Sequence, residues 1–117
     1  MKKGDFGVGG SVPEINDPRV SFVKGWFNDT LPGFLSDFKP KSRLIIHNDS
    51  DLYSSTLFCL SELNKIILPG TILVFDEFYS ALHEFRALND YLSAYRRSCH
   101  PIGLVDDGQG RVAFIFD

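Results

Sequence analysis

The chain is poor in the residues that announce several functional classes. It has two cysteines in 117 residues, Cys59 and Cys99, and no Cys/His spacing of the kind that holds zinc. Cys59 sits among apolar neighbours on a predicted helix and reads as a free buried thiol in a reducing cytoplasm. A basic excess is also missing. The formal net charge of -3 and a pI near 5.5 argue against nucleic acid as a partner, because phosphate backbones reward a cationic face. No apolar run approaches the roughly 20 residues that a membrane span needs. Met1-Lys2-Lys3-Gly4-Asp5 carries no apolar region of the signal-peptide type, so the expected location is cytoplasmic. Internal repeats, linkers and low-complexity tracts are absent, and 117 residues make one domain or part of one.

What is present is a repeated unit of strand, acid and helix. Leu44-Ile45-Ile46 is an unbroken aliphatic run, the pattern of a strand buried on both faces. It leads into Asp49 and Asp51, and then into a helix expected from about Leu52 to Ile67, with Leu57, Leu60, Leu63 and Ile67 at helical spacing. Asp51 reads as the cap of that helix rather than as a ligand. Leu68-Pro69-Gly70 is a stop and turn. The unit then recurs: Thr71 to Phe75 forms a second strand, Asp76-Glu77 follows, and a helix is expected from Ser80 to Arg96. Its buried face would be Leu82, Phe85, Leu88, Leu92 and Tyr95. Two parallel strands whose carboxyl ends both carry acids create an acidic crevice, the edge at which open α/β sheets take their ligands.

The flanks complete the order. Residues 1–18 are irregular. Gly7-Val8-Gly9-Gly10 lacks the preceding strand and following helix that a phosphate-cradling loop requires. Arg19 to Lys24 alternates and is expected to join a sheet. Asp29 or Thr30 would cap a short helix with Pro32 in its first turn, ended by Pro40. Pro101 to Val105 and Arg111 to Phe116, joined through Asp106 to Gly110, form an antiparallel hairpin. The fold class is therefore α/β: parallel strands with a C-terminal antiparallel hairpin and helices on the faces.

Three stretches in this order carry a resemblance. Val20 to Pro32 (VSFVKGWFNDTLP), His47 to Thr56 (HNDSDLYSST) and Pro69 to Glu77 (PGTILVFDE) resemble the macrocin-type O-methyltransferase family. That family is a branch of the class I S-adenosylmethionine-dependent methyltransferases and decorates sugars on natural products. The resemblance implies a partial Rossmann-like sheet in which strands 3, 4, 5, 6 and 7 of the order 3-2-1-4-5-7-6 are present, with Val20 to Val23 as strand 3. It implies a small-molecule hydroxyl acceptor of the sugar kind. Asp49 would be general base and metal ligand, and Asp76 and Glu77 would complete a magnesium (Mg2+) site, Glu77 replacing the more usual aspartate. Gly25, Trp26 and Phe27 would flank the adenine of S-adenosylmethionine. The family's acidic, Gly-rich donor cradle has no counterpart, so donor binding by this chain alone is expected to be weak or absent. The rival expectation is a non-catalytic methyltransferase-fold remnant that homodimerises through its open sheet edge.

Other readings are plainer. His47, inside a strand, reads as a packed neutral imidazole. His83 and Glu84 read as a solvated first helical turn. Trp26 and Phe27 serve either as core or as a ring face for a planar ligand. Tyr53 and Tyr79 either line an acceptor pocket or pack in the core.

Overall fold

The computed structural model describes residues 12–76, 83–105 and 110–117. The elements are α1 (Phe27–Asp37), β1 (Ile45–Asn48), α2 (Tyr53–Leu63), β2 (Ile72–Phe75), α3 (Glu84–Tyr95), β3 (Cys99–Val105) and β4 (Arg111–Phe116). The strands form one sheet in the order β1-β2-β4-β3, parallel between β1 and β2 and antiparallel elsewhere. This is the expected 4-5-7-6 part of a methyltransferase sheet. Glu77, Tyr79 and Leu82 lie outside the described residues, as do Asp106 to Gln109 of the hairpin link.

The core lies on one face of the sheet. Leu73 and Phe75 of β2 are fully buried, and Val112, Phe114 and Phe116 of β4 join them. Leu60 of α2 and Leu88 and Tyr91 of α3 close over this face. Each fully buried side chain of this size contributes about 1.5–3 kcal/mol of transfer free energy. Phe114 meets Phe75 edge-on at a centroid distance of 6.2 Å, and Phe116 meets Tyr91 at 6.3 Å. Helix α1 packs against α2. The opposite face, with Ile45, Ile72, Val74, Ala113 and Ile115, is exposed or half-buried.

Two turns hold the strand starts. At the end of α2 the Asn64 N–H reaches back to Leu60 O, and Leu68 to Thr71 then closes with Thr71 N–H on Leu68 O (3.0 Å). Gly70 at φ 92 supplies the left-handed step and donates its N–H to Phe116 O at 2.8 Å, tying this turn to β4. Arg97 locks the same corner, donating to Ile67 O (2.8 Å) and Asn64 Oδ1 (3.0 Å) while lying over the Phe116 ring. Cys59 is buried and Cys99 half-buried; both are free, and burial pushes both thiols up to about 11. Among the described residues no helix is long and apolar enough to cross a membrane.

Several local expectations are corrected. Val20 to Val23 forms no strand. Val20, Phe22 and Val23 are exposed, and Val20 N–H closes a turn on Asp17 O (3.0 Å). Alternation gives a segment only a propensity, and a strand forms only when its backbone pairs with another. Nor is β1 buried on both faces: it is the outer strand of the described sheet, and Ile45 is 63% exposed. Helix α1 starts earlier than Asp29, with Trp26 as its N-cap and no side-chain cap bond, so Pro32 falls inside the helix. Thr30 instead donates its hydroxyl back to Trp26 O at 2.8 Å. In α3 the buried face is Glu84, Ala87, Leu88 and Tyr91; Phe85 and Tyr95 face solvent, a rotation of the stripe by about one position.

Candidate functional site

Parallel register builds the site. Asn48 pairs with Phe75 at the last rung of the β1–β2 ladder, so the next residue of each strand, Asp49 and Asp76, leaves the sheet side by side. Asp49 senses its neighbour. Asp49 is raised above the ordinary carboxylate range, first by partial desolvation, then by the negative charges of Asp76 and Asp51, while His47 opposes the shift. Asp76 is held in place by His47, whose Nε2 lies 2.9 Å from its Oδ1, and Arg111 Nε approaches the same oxygen at 3.9 Å.

The expectation that His47 packs in the core is therefore corrected. It lies on the uncovered face, its side chain more than half exposed, with a carboxylate partner. That face is set by β1 itself: successive side chains alternate, so His47 and Asp49 share one side while Asn48 points to the other.

On the other side a buried polar cluster fastens the strand end. Asn48 Nδ2 donates to Glu84 Oε2 at 2.9 Å and lies 3.4 Å from Thr56 Oγ1. Ser50 Oγ donates to Asn48 Oδ1 (3.2 Å) and bonds Thr56 Oγ1 at 2.8 Å. Glu84 is 1% exposed, which corrects its reading as a solvated first turn. A carboxylate at that depth is retained when hydrogen bonds meet it, and this one joins β1, α2 and α3 at one point. Sequence reasoning missed this cluster. Thirty-six residues separate Asn48 from Glu84, and no local pattern links them.

Asp51 does not cap α2. Leu52 is the N-cap and makes no side-chain cap bond; Asp51 itself sits at φ 63. Leu52 N–H donates to Ser50 O at 2.6 Å across a three-residue turn centred on Asp51. Left-handed backbone is costly for a non-glycine residue, and such strain concentrates where a site needs a fixed geometry. The first turn of α2 is met from α3, since Tyr53 N–H donates to His83 Nδ1 at 3.2 Å. Tyr53 also donates its hydroxyl to Asp90 Oδ2 at 2.6 Å, with Arg86 over its ring. This places Tyr53 between α2 and α3 rather than in the core.

Gly25 has a local reason to be glycine. It adopts φ 141, and a Cβ there would come within 2.7 Å of Thr30 Cγ2. Trp26 and Phe27, which follow it into α1, are 42% and 37% exposed, so both present ring surface. The described residues thus bring Asp49 and Asp76 together and leave Gly25 to Phe27 on the start of α1. Among those residues no group of three His, Cys, Asp or Glu could hold a metal ion, and Glu77 lies outside them.

A sheet in this strand order, with acids leaving the ends of its parallel pair, belongs to the class I methyltransferase type of α/β fold. The family model for macrocin-O-methyltransferase (TylF) matches residues 12–110, and the chain belongs to that family. Curated relatives agree. The 8-demethyl-8-(2,3-dimethoxy-alpha-L-rhamnosyl)-tetracenomycin-C 4'-O-methyltransferase of Streptomyces olivaceus is 39% identical over 92 residues, covering 77% of this chain and 32% of that protein. The mycinamicin III 3''-O-methyltransferase of Micromonospora griseorubida is 32% identical over 76 residues, covering 60% and 28%. The demethyldecarbamoylnovobiocin O-methyltransferase of Streptomyces niveus is 31% identical over 83 residues, covering 66% and 30%. The chain spans about a third of the length of these relatives.

Proposed function

We propose that this chain supplies the metal and acceptor side of an S-adenosylmethionine-dependent O-methyltransferase acting on a hydroxyl of a small, sugar-like molecule. The observation that carries this reading is the Asn48–Phe75 register, which sets Asp49 beside Asp76, so that the Asp76 charge helps to raise the Asp49 carboxyl. Crowded carboxylate oxygens suit a hard cation such as magnesium. Asp49 and Asp76 would hold it, with Glu77 as the third ligand. When bound, the donor would supply the methyl group and the cation would make the acceptor hydroxyl more acidic.

The chain's own residues do the rest. Asp49, with its carboxyl raised above the usual range, is a better proton acceptor than an ordinary aspartate and would take the proton of the acceptor hydroxyl. His47 and Arg111 hold Asp76 on the uncovered face, and the Asn48–Glu84–Thr56 cluster fixes the strand end from behind. Fixed positions of this kind align donor and acceptor, which accounts for much of the rate in a displacement reaction. Trp26 and Phe27, following the Gly25 kink, would offer ring surface to the adenine. The free thiols Cys59 and Cys99 accord with a cytoplasmic location.

Magnesium is expected to raise the melting temperature, and Asp76→Ala to abolish that rise; an unchanged melting temperature in the unsubstituted chain would sink the metal site. Calorimetry is expected to find weak or no binding of S-adenosylmethionine by this chain alone, and micromolar binding would contradict that part of the reading.

A second reading has its own support. Among the described residues nothing pairs with the outer edge of β1, and Ile45 there is 63% exposed. A methyltransferase-fold module that homodimerises by pairing two β1 edges would cover it. Light scattering after size exclusion distinguishes monomer from dimer, and metal titration of the same samples tells whether the two readings coexist.

A further inference from the structure

The opposite end of the parallel strands carries a different chemistry. A cavity of about 370 Å³ opens there, between the α1–β1 connection (residues 38–44) and the α2–β2 connection (residues 64–71). Its walls include Phe38, Leu44 and Leu68, and its cations are Lys39, Arg43 and Lys65. No acidic side chain lines it. Lys65 is paired with Glu62 at 2.8 Å, whereas Lys39, Lys41 and Arg43 have no carboxylate partner among the described residues.

Two features here suit a ligand of mixed character. Three like charges, Lys39, Lys41 and Arg43, alternate along five residues of a chain whose net charge is -3. Together they make a local positive field that attracts an anion. Beside them Leu68 is 68% exposed at the mouth of the cavity, an apolar surface kept in water. A bare anion would satisfy the first feature and an apolar molecule the second. Only a molecule with both parts satisfies the two together. The volume falls in the lower range of small-molecule sites.

We propose that this cavity binds a small amphipathic anion, an aromatic or aliphatic body bearing a phosphate group. The phosphate would lie toward Lys39 and Arg43 and the body against Phe38, Leu44 and Leu68. The proposal is independent of the methyl-transfer reading, because the cavity begins before Ile45 and Ile72 while Asp49 and Asp76 follow the far ends of the same strands.

The test is titration of the isotope-labelled full chain with phenyl phosphate, followed through backbone amide resonances. Saturable shifts are expected within residues 38–44 and 65–71. The double variant Lys39→Gln/Arg43→Gln, altered only at exposed positions, is expected to bind at least about tenfold more weakly, a loss of roughly 1.4 kcal/mol. Inorganic phosphate and benzyl alcohol are each expected to bind at least about tenfold more weakly than phenyl phosphate. The proposal is overturned if the shifts scatter over the surface or centre on residues 47–51. It is equally overturned if the double variant binds as well as the original chain. Inorganic phosphate matching phenyl phosphate would show a bare anion site, and benzyl alcohol matching it would show a merely apolar one; either result overturns the proposal.

Discussion

One sheet has two faces with opposite fates. Along β2, Leu73 and Phe75 are fully buried under α2 and α3, while Ile72 and Val74, their immediate neighbours, are only half-buried on the other side. Along β1 the contrast becomes chemical: Asn48 turns inward to a buried hydrogen-bond cluster, and His47 and Asp49 turn outward to the charged group around Asp76. The covered face holds the molecule together. The uncovered face carries the titratable groups His47, Asp49 and Asp76, because there charge can stay near water.

The largest test of this contrast compares two substitutions on neighbouring residues. Leu73→Ala, at a fully buried position, is expected to lower unfolding free energy by ~2–5 kcal/mol in urea titration. Val74→Ala should cost well under half as much; equal losses would mean that both faces are packed alike. Next comes the end of β1. Asn48→Ala leaves Glu84 and Ser50 without this partner and is expected to cost ~1–3 kcal/mol. Asp49→Asn, one residue on, should leave stability within ~0.5 kcal/mol or raise it, since it removes a carboxylate already disfavoured by its neighbours. A large loss from Asp49→Asn would break the comparison.

A smaller effect is tied to pH at the sheet's far corner. Asp117 is lowered from 3.8 by hydrogen bonds from Ser98 first and His100 second. A lowered carboxylate contributes stability above its unfolded value and loses it as pH falls through its folded value. The advantage of the original chain over Asp117→Asn should therefore be present at neutral pH and vanish in acid below 3.8. Thermal melts from pH 2 to 6 would show it; a gap that widens in acid would contradict the assignment. The smallest effect is expected at Ile45, already 63% exposed. Ile45→Thr should change monomer stability by less than ~0.5 kcal/mol, and a marked loss would mean that β1's outer surface is covered in solution.

Legibility followed the range of the interaction that decides each feature. The helix at Tyr53–Leu63, the Pro69-Gly70 turn and the hairpin strands were readable because each depends on residues close in sequence. The expected adjacency of Asp49 and Asp76 rested on only one further step, that consecutive β-α-β units pair in parallel. The failures cluster where a partner is needed. Val20 to Val23 had the letters of a strand but joins no sheet, even though the outer edge of β1 is unpaired among the described residues. Glu84 had the position of a solvated turn, yet Asn48 waits beneath it. His47 lay in an apolar run whose outer side no helix among the described residues covers.

By itself, then, the amino-acid order determined the kinds and sequence of the elements, the acids at the strand ends and the family to which they belong. These depend on backbone preference and side-chain periodicity over a few residues. Only the tertiary structure decided which face of the sheet is dry. Leu44-Ile45-Ile46 and Ile72-Leu73-Val74-Phe75 are apolar throughout, so no alternation marks one side for burial. That choice belongs to α2 and α3, whose packing places Asn48 with Glu84 and leaves Asp49 and Asp76 beside water.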